Sequence, residues 1–384
     1  MVVKQTLSRS EPYFNPHVDT LPKYNAGLSL GAARAASGRE QIARLASNEN
    51  PYGCSPAVRR VLADGAVELW RYSDPNCEAL RAALASKLDV EPTQIVIGNG
   101  SEEMIAAASR AFLTVGGHAL TVAPCFGLHE IEPLAVGARV TKVPMTSDCE
   151  FDVPALTAAL AQSPNLVFLP SPWNPVGAAL DHDGLARVIT ASSATTLFVL
   201  DEAYREFASD AIPDGLSLLQ RSGLPFIVLR TFSKAFGLAG LRVGYAVCSS
   251  ARIAKMIAAA KTPFNVNAVA QAAAVAALDD EAWMRDAVAR ICVERDRVAA
   301  ALRGLGLRVA RSEGNFVFFD AKRPSAEVAT ALLKAGVVVK PWLEPEYQSF
   351  IRVSTGTAAE NNQFLDALAA ALRPERYASV AAAG

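Results

Sequence analysis

Lys234 lies in the segment Thr231-Phe232-Ser233-Lys234-Ala235-Phe236-Gly237-Leu238-Ala239-Gly240-Leu241-Arg242. The strand-like run Phe226 to Leu229 leads into this segment, and Arg242 follows eight residues after the lysine. A lysine amine held in such a loop condenses with an aldehyde to form an imine. The hydroxyl of Ser233 and the guanidinium of Arg242 are suited to hold an anion beside it.

Three further segments follow strand-like runs. In Gly98-Asn99-Gly100-Ser101-Glu102 the glycines let backbone approach a ligand, and the N–H groups of Ser101 and Glu102 would open a helix facing an anion. A plain turn with Ser101 as helix cap explains the same residues. In Ser171-Pro172-Trp173-Asn174-Pro175-Val176-Gly177 the prolines predict a rigid turn, which would either aim the Asn174 amide into a site or serve structure alone. In Leu200-Asp201-Glu202-Ala203-Tyr204 a carboxylate closes the apolar run Leu197–Leu200. It is costly to bury unless it meets a cation, although Asp201 would also serve as a helix cap. A protonated pyridine nitrogen is such a cation, and Tyr204 lies within reach of a phenolic oxygen on the same ring. Pyridoxal phosphate carries the aldehyde, the phosphate and the basic ring together, and so accounts for all four segments.

Alternating elements would position these residues. Helices are expected near Ser55–Leu69, Asn76–Leu88 and Ser101–Leu113. Strands are expected at Gln94–Ile97, Ala119–Ala123, Leu166–Leu169, Leu197–Leu200, Ile227–Leu229 and Val243–Val247. Several of these strands are almost wholly apolar, which predicts a mostly parallel sheet covered by helices on both faces, an α/β fold. Asn265 to Leu278 reads as a buried helix. After about residue 280 a long charged helix, Glu281 to Leu302, leads into strands at Leu307–Ala310, Phe316–Phe319, Val337–Lys340 and Phe350–Val353, with a helix at Ser325–Lys334 and a final helix. The expected division is 1–50 as an N-terminal arm and part of a small domain, 51–280 as the large cofactor domain, and 281–384 as a smaller α+β domain.

With 384 residues, 51% of them hydrophobic, and a formal charge of -1, the chain is long enough for two or three domains. It shows no basic footprint for nucleic acid or a membrane surface. The six cysteines (54, 77, 125, 149, 248 and 292) lack ligand spacing, and the four histidines (17, 118, 129 and 182) form no cluster, so reduced thiols and no metal are expected. The first residues lack an apolar signal core and no apolar run reaches membrane-spanning length, which predicts a cytoplasmic protein.

Over nearly its whole length the chain resembles the fold-type I pyridoxal-phosphate aminotransferases, and within them the histidinol-phosphate branch. Besides the four segments, the resemblance rests on Leu45 to Gly53, on Tyr72-Ser73-Asp74-Pro75, and on Arg352-Val353-Ser354-Thr355-Gly356-Thr357. It implies that Lys234 binds the aldehyde and then shuttles a proton, with Asp201 on the pyridine nitrogen and Asn174 and Tyr204 on the phenolic oxygen. Phe126 would stack on the ring. Ser101, Glu102, Ser233 and Arg242 would hold the phosphate. Tyr72 would reach the phosphate from the partner subunit, giving a homodimer with shared sites. Arg352 and Lys340 would bind the anionic substrate end, with Tyr24 closing over it. The substrates implied are an amino donor, L-histidinol phosphate, and 2-oxoglutarate. The chain departs from the usual pattern at Trp173, Ser73, Lys340 and Pro341 to Tyr347. Trp173, Trp342 and Phe126 suggest an aromatic pocket, so an aromatic amino-acid aminotransferase is the alternative, followed by a threonine-phosphate-type decarboxylase. A cofactor-sensing regulator would need a DNA-binding module, for which residues 1–40 are too short and too neutral.

Overall fold

The computed structural model describes residues 14–65 and 67–373. Residues 1–13 of the expected arm and 374–384 at the other end lie outside the described residues. A short strand, β1 (Ala43–Arg44), precedes seven strands that form one sheet. These are β2 (Ile95–Gly98), β3 (His118–Ala123), β4 (Arg139–Pro144), β5 (Leu166–Pro170), β6 (Leu197–Asp201), β7 (Phe226–Thr231) and β8 (Gly244–Cys248). Their order is β2-β8-β7-β6-β5-β3-β4, and only β8 runs against its neighbours.

The apolar strands are explained by cover on both faces. Val167, Leu169, Phe198, Leu200 and Val228 pack into one core cluster, while Leu166, Phe168, Leu197, Val199, Ile227 and Leu229 pack into another. Alternate residues along each strand thus enter opposite cores, so no polar alternation survives. Strand β4 was not anticipated, because Arg139, Thr141 and Lys142 break the apolar pattern. It is an edge strand bonded only to β3, where polar side chains are tolerated.

The smaller sheet is antiparallel, in the order β12 (Lys340–Pro341), β13 (Phe350–Ser354), β10 (Phe316–Asp320) and β9 (Arg308–Val309). The expected strand Val337–Lys340 is two strands. Its first part, β11 (Val337–Val338), pairs with β1, and its last residue opens β12. Ala43 and Leu45 join Val317, Phe319, Ile351 and Phe364 in one core, which ties the early segment to the C-terminal part. The long helix is Glu281–Gly304, and the last helix, Ala358–Leu372, starts from a capping box in which Thr357 and Glu360 satisfy each other's backbone N–H. The helix expected over Ser55–Leu69 stops at Ala63. Gly65 follows at φ +61°, a left-handed conformation that ends helices.

Register sets the site. Pro170 is the partner of Asp201, and Gly244 is the partner of both Gly98 and Thr231. The loops after β2, β5, β6 and β7 therefore emerge along one sheet edge, the carboxyl edge, where ligands of open parallel sheets bind.

Candidate active site

A cavity of about 430 Å³ opens at that edge, within the range of about 300–1,000 Å³ common for small-molecule sites. Lys234 leaves the sheet after Thr231, whose Oγ1 accepts the Ser233 N–H at 3.1 Å. The turn is closed by Leu238 N–H to Phe232 O at 2.9 Å. Gly237 sits at φ +72° with the Gly53 carbonyl pressed where a Cβ would stand, so only glycine fits. Lys234 Nζ donates to Ser47 O at 3.0 Å and lies 5.9 Å from the Tyr204 ring centroid. Desolvation, followed by the Arg352 charge, lowers its pKa to about 8.

One end of the cavity is suited to an anion. The helix Gly100–Phe112 begins after Asn99, which makes no side-chain cap. Ser101 lies inside the helix rather than capping it, so the plain capping explanation of this turn fails. The Asn99 amide instead donates to Asn265 O at 2.7 Å. First-turn N–H groups are left for a ligand. Gly244 lets β8 approach closely, since a Cβ there would stand 2.6 Å from Ser101 N. Arg242, in the left-handed region at φ 58°, pairs with Glu102 at 3.0 Å and donates to Ala239 O at 3.1 Å. Ser101, Glu102, Ser233 and Arg242 all line the cavity.

The middle is organised by Asp201. Its Oδ1 accepts the Ala203 N–H and its Oδ2 meets His129 Nε2, both at 3.1 Å. His129 is wholly buried and stacked on Phe168 at 5.1 Å. Sequence reasoning missed His129, although it stands only three residues after Phe126. Tyr204 OH accepts from the Asn48 amide at 2.9 Å, and desolvation raises its pKa to about 12. Asn48 was also missed. Its backbone, at φ 55°, is pinned by Ser354, whose Oγ accepts the Asn48 N–H at 2.8 Å. Phe126 meets Tyr24 edge-on with centroids 6.3 Å apart, and both line the cavity.

The other end is cationic. Lys340 and Arg352 are cross-strand partners on β12 and β13, so both side chains leave one face of the small sheet. Arg352 donates to Asn174 Oδ1 at 2.6 Å and to Ala46 O, while its buried Nε has no partner. Lys340 contacts Asn25 O, and desolvation with the Arg352 charge lowers its pKa to about 8.

One expectation ends elsewhere. Trp173 does not line the cavity. It is fully buried, packs on Phe151 at 4.7 Å and donates Nε1–H to Pro124 O at 2.8 Å, because a large apolar ring with one satisfied donor is most stable in the core. Tyr72 is 85% exposed, rests on Phe264 with centroids 4.7 Å apart, and does not line this chain's cavity.

The model of the aminotransferase class I and II family matches residues 40–368. The chain belongs to this family. The aminotransferase is 44% identical over 352 residues to histidinol-phosphate aminotransferase 3 of Rhizobium meliloti, covering 91% of this chain and 95% of that one. It is 40% identical to histidinol-phosphate aminotransferase 1 of Mesorhizobium japonicum, covering 94% and 99%. A crystal structure of histidinol-phosphate aminotransferase from Sinorhizobium meliloti in complex with pyridoxal 5'-phosphate superimposes with a TM-score of 0.85 at 29% identity, covering 95% of the aminotransferase and 98% of that chain. Pyridoxal phosphate is the cofactor of the aminotransferase. Among the described residues no helix of the aminotransferase is long and apolar enough to cross a membrane.

Proposed function

We propose that the chain transfers the amino group of L-histidinol phosphate to 2-oxoglutarate in histidine biosynthesis. The observation that carries the substrate is the in-register pair Lys340 and Arg352, with the Arg352 Nε buried and unsatisfied. Two cations at one cavity wall suit a phosphate monoester, and a guanidinium forks equally onto a carboxylate, so both substrates can use one pocket in turn. The names of the relatives support the same donor. The aromatic amino-acid alternative loses support with Trp173 in the core.

The residues present fit the cofactor. A half-buried lysine of lowered pKa, a buried carboxylate, and an uncapped helix start with an arginine beside it meet the needs of aldehyde, ring nitrogen and phosphate respectively. When bound, pyridoxal phosphate supplies an aldehyde that captures amines and a protonated ring that draws electrons from the substrate α-carbon. Lys234 Nζ would hold the aldehyde and then serve as the base that carries the proton from the substrate α-carbon to C4′ of the cofactor. Asp201 keeps the ring nitrogen protonated, and His129 fixes that carboxylate in place. Tyr204 OH and the Asn174 amide serve the phenolic oxygen, with Phe126 against the ring. Ser101, Glu102, Ser233 and Arg242 bind the phosphate. Arg352 and Lys340 orient the anionic end of the substrate, and Tyr24 covers it.

Tyr72, exposed and outside this cavity, is the residue through which a second copy would complete the site. The working form is thus a homodimer with shared sites, in the cytoplasm. Residues 51–280 form its cofactor domain and 281–384, with the early segment, its small domain. A side-by-side kcat/KM for histidinol phosphate, phenylalanine, tyrosine and threonine phosphate tests the substrate. Histidinol phosphate is expected to lead, and a wide lead for phenylalanine overturns the assignment.

A further inference from the structure

On the reading above, the donor carries a phosphate, an amine and an imidazole, and the residues assigned so far meet the first two. The cavity continues past Phe126 to a second charged group. Glu130, Cys125 and Glu344 line it, with Trp342 and Leu343. Glu130 is reached from the loop after β3, while Glu344 lies in the loop after β12. Lys142 of β4 bonds both carboxylates, Glu130 at 2.9 Å and Glu344 at 3.3 Å. Trp342 Nε1–H donates to Glu344 Oε2 at 2.9 Å. Two carboxylates against one ammonium leave a net charge of about -1.

Carboxylate oxygens accept through two lone-pair sites each, so capacity remains on both. The glutamate side chains keep 22% and 24% of their surface open, so they are accessible to a ligand. Burial first, then the Glu344 and Glu130 charges, push the Cys125 thiol well above its ordinary range. The ammonium of Lys142 within the group argues against a metal ion there. Independently, Arg352, whose buried Nε has no partner, lines the same cavity, where its guanidinium suits an anionic ligand. The cavity is therefore polarised, positive at Lys340 and Arg352 and negative at Glu130 and Glu344.

We propose that Glu130 and Glu344, clasped by Lys142 and Trp342, form the subsite that accepts the imidazole N–H of the donor. A phenyl ring has no donor to offer and would desolvate the remaining acceptor sites of these carboxylates without satisfying them, which is how a hydrogen-bonding pocket rejects an isostere. An imidazole presents an N–H in either tautomer, and two when protonated.

The test compares histidinol phosphate with the phosphate ester of phenylalaninol, which keeps phosphate and amine and replaces only the ring. In the unsubstituted enzyme the ratio of their kcat/KM values should favour histidinol phosphate. If the unsubstituted enzyme does not turn over histidinol phosphate, the functional reading above fails. Glu130→Gln and Glu344→Gln are each expected to lower the ratio about tenfold through the imidazole substrate. Retention of the cofactor absorbance band reports an intact fold. A variant that loses the band is replaced by Glu344→Asp, which keeps the charge, draws it back by one methylene and is expected to lower the ratio as well. A ratio that stays constant in the variants, because both substrates fall together or neither changes, overturns the subsite.

Discussion

Nε2 of His129 lies 3.1 Å from Oδ2 of Asp201, with the imidazole fully buried. The carboxylate ends an apolar strand, and this ring, held flat against Phe168, is the side chain that holds it. A hydrogen bond to a charged group contributes about 1.5–3 kcal/mol. His129→Leu is therefore expected to weaken cofactor binding by roughly ten- to a hundredfold in an absorbance titration. Unaltered affinity would show that Asp201 needs no partner.

Arg352 is fixed by Asn174 and Ala46, and its position decides where an anion sits. Arg352→Ala should raise the KM of the anionic substrates at least about thirtyfold, since removing one member of a buried charged pair costs about 2 kcal/mol or more. Arg352→Lys should recover little, because an ammonium cannot reproduce the fork. An unchanged KM would place the anion elsewhere.

The lowered pKa of Lys234, about 8, has a sign that can be read in kinetics. Only the neutral amine attacks an aldehyde. Capture of pyridoxal phosphate by the cofactor-free protein should thus rise about tenfold per pH unit below 8 and level off above it. For a free lysine the rise would continue to about pH 10.4. Stopped-flow absorbance across pH 6 to 10 distinguishes the two.

Arg230 and Glu202 support the strand ends that carry the site. Arg230 Nε and Nη2 donate to Glu202 Oε2 at 2.9 and 2.7 Å, and Nη2 also reaches Asp214 at 2.8 Å. Glu202 follows Asp201, and Arg230 precedes Thr231. Arg230→Met leaves Glu202 buried without its cation and should destabilise the fold by about 3–5 kcal/mol in urea unfolding. Adding Glu202→Gln should return much of the loss. A single variant with the original midpoint would refute the coupling.

A shared site predicts complementation. Lys234→Ala and Tyr72→Ala homodimers should both be weak. Mixed and reassembled, half the dimers pair the two variants, and each of those has one site with both residues intact, so about a quarter of full activity should return. If mixing restores nothing, Tyr72 serves its own chain's site or none.

Strands β5, β6 and β7 were legible because burial on both faces demands unbroken apolar runs, and a run of that kind does not depend on its neighbours. The edge strand β4 was not, since its polar residues are permitted only by its place at the sheet margin. Trp173 misled for a related reason. Aromatic character suits a pocket and a core equally, and only its contact with Phe151 and the Pro124 carbonyl decides between them.

The sequence by itself determined the reactive lysine, the carboxylate at a strand end, the glycine-bounded turns and the alternation of helix and strand, because each is a local property of residue type and spacing. Tertiary structure alone decided that His129 meets Asp201, that Asn48 reaches Tyr204, and that Glu130 and Glu344 converge on Lys142. Those partners are brought together by sheet order and by the packing of the small sheet against the large one, and pairings across such distances in sequence leave no periodic trace in the chain.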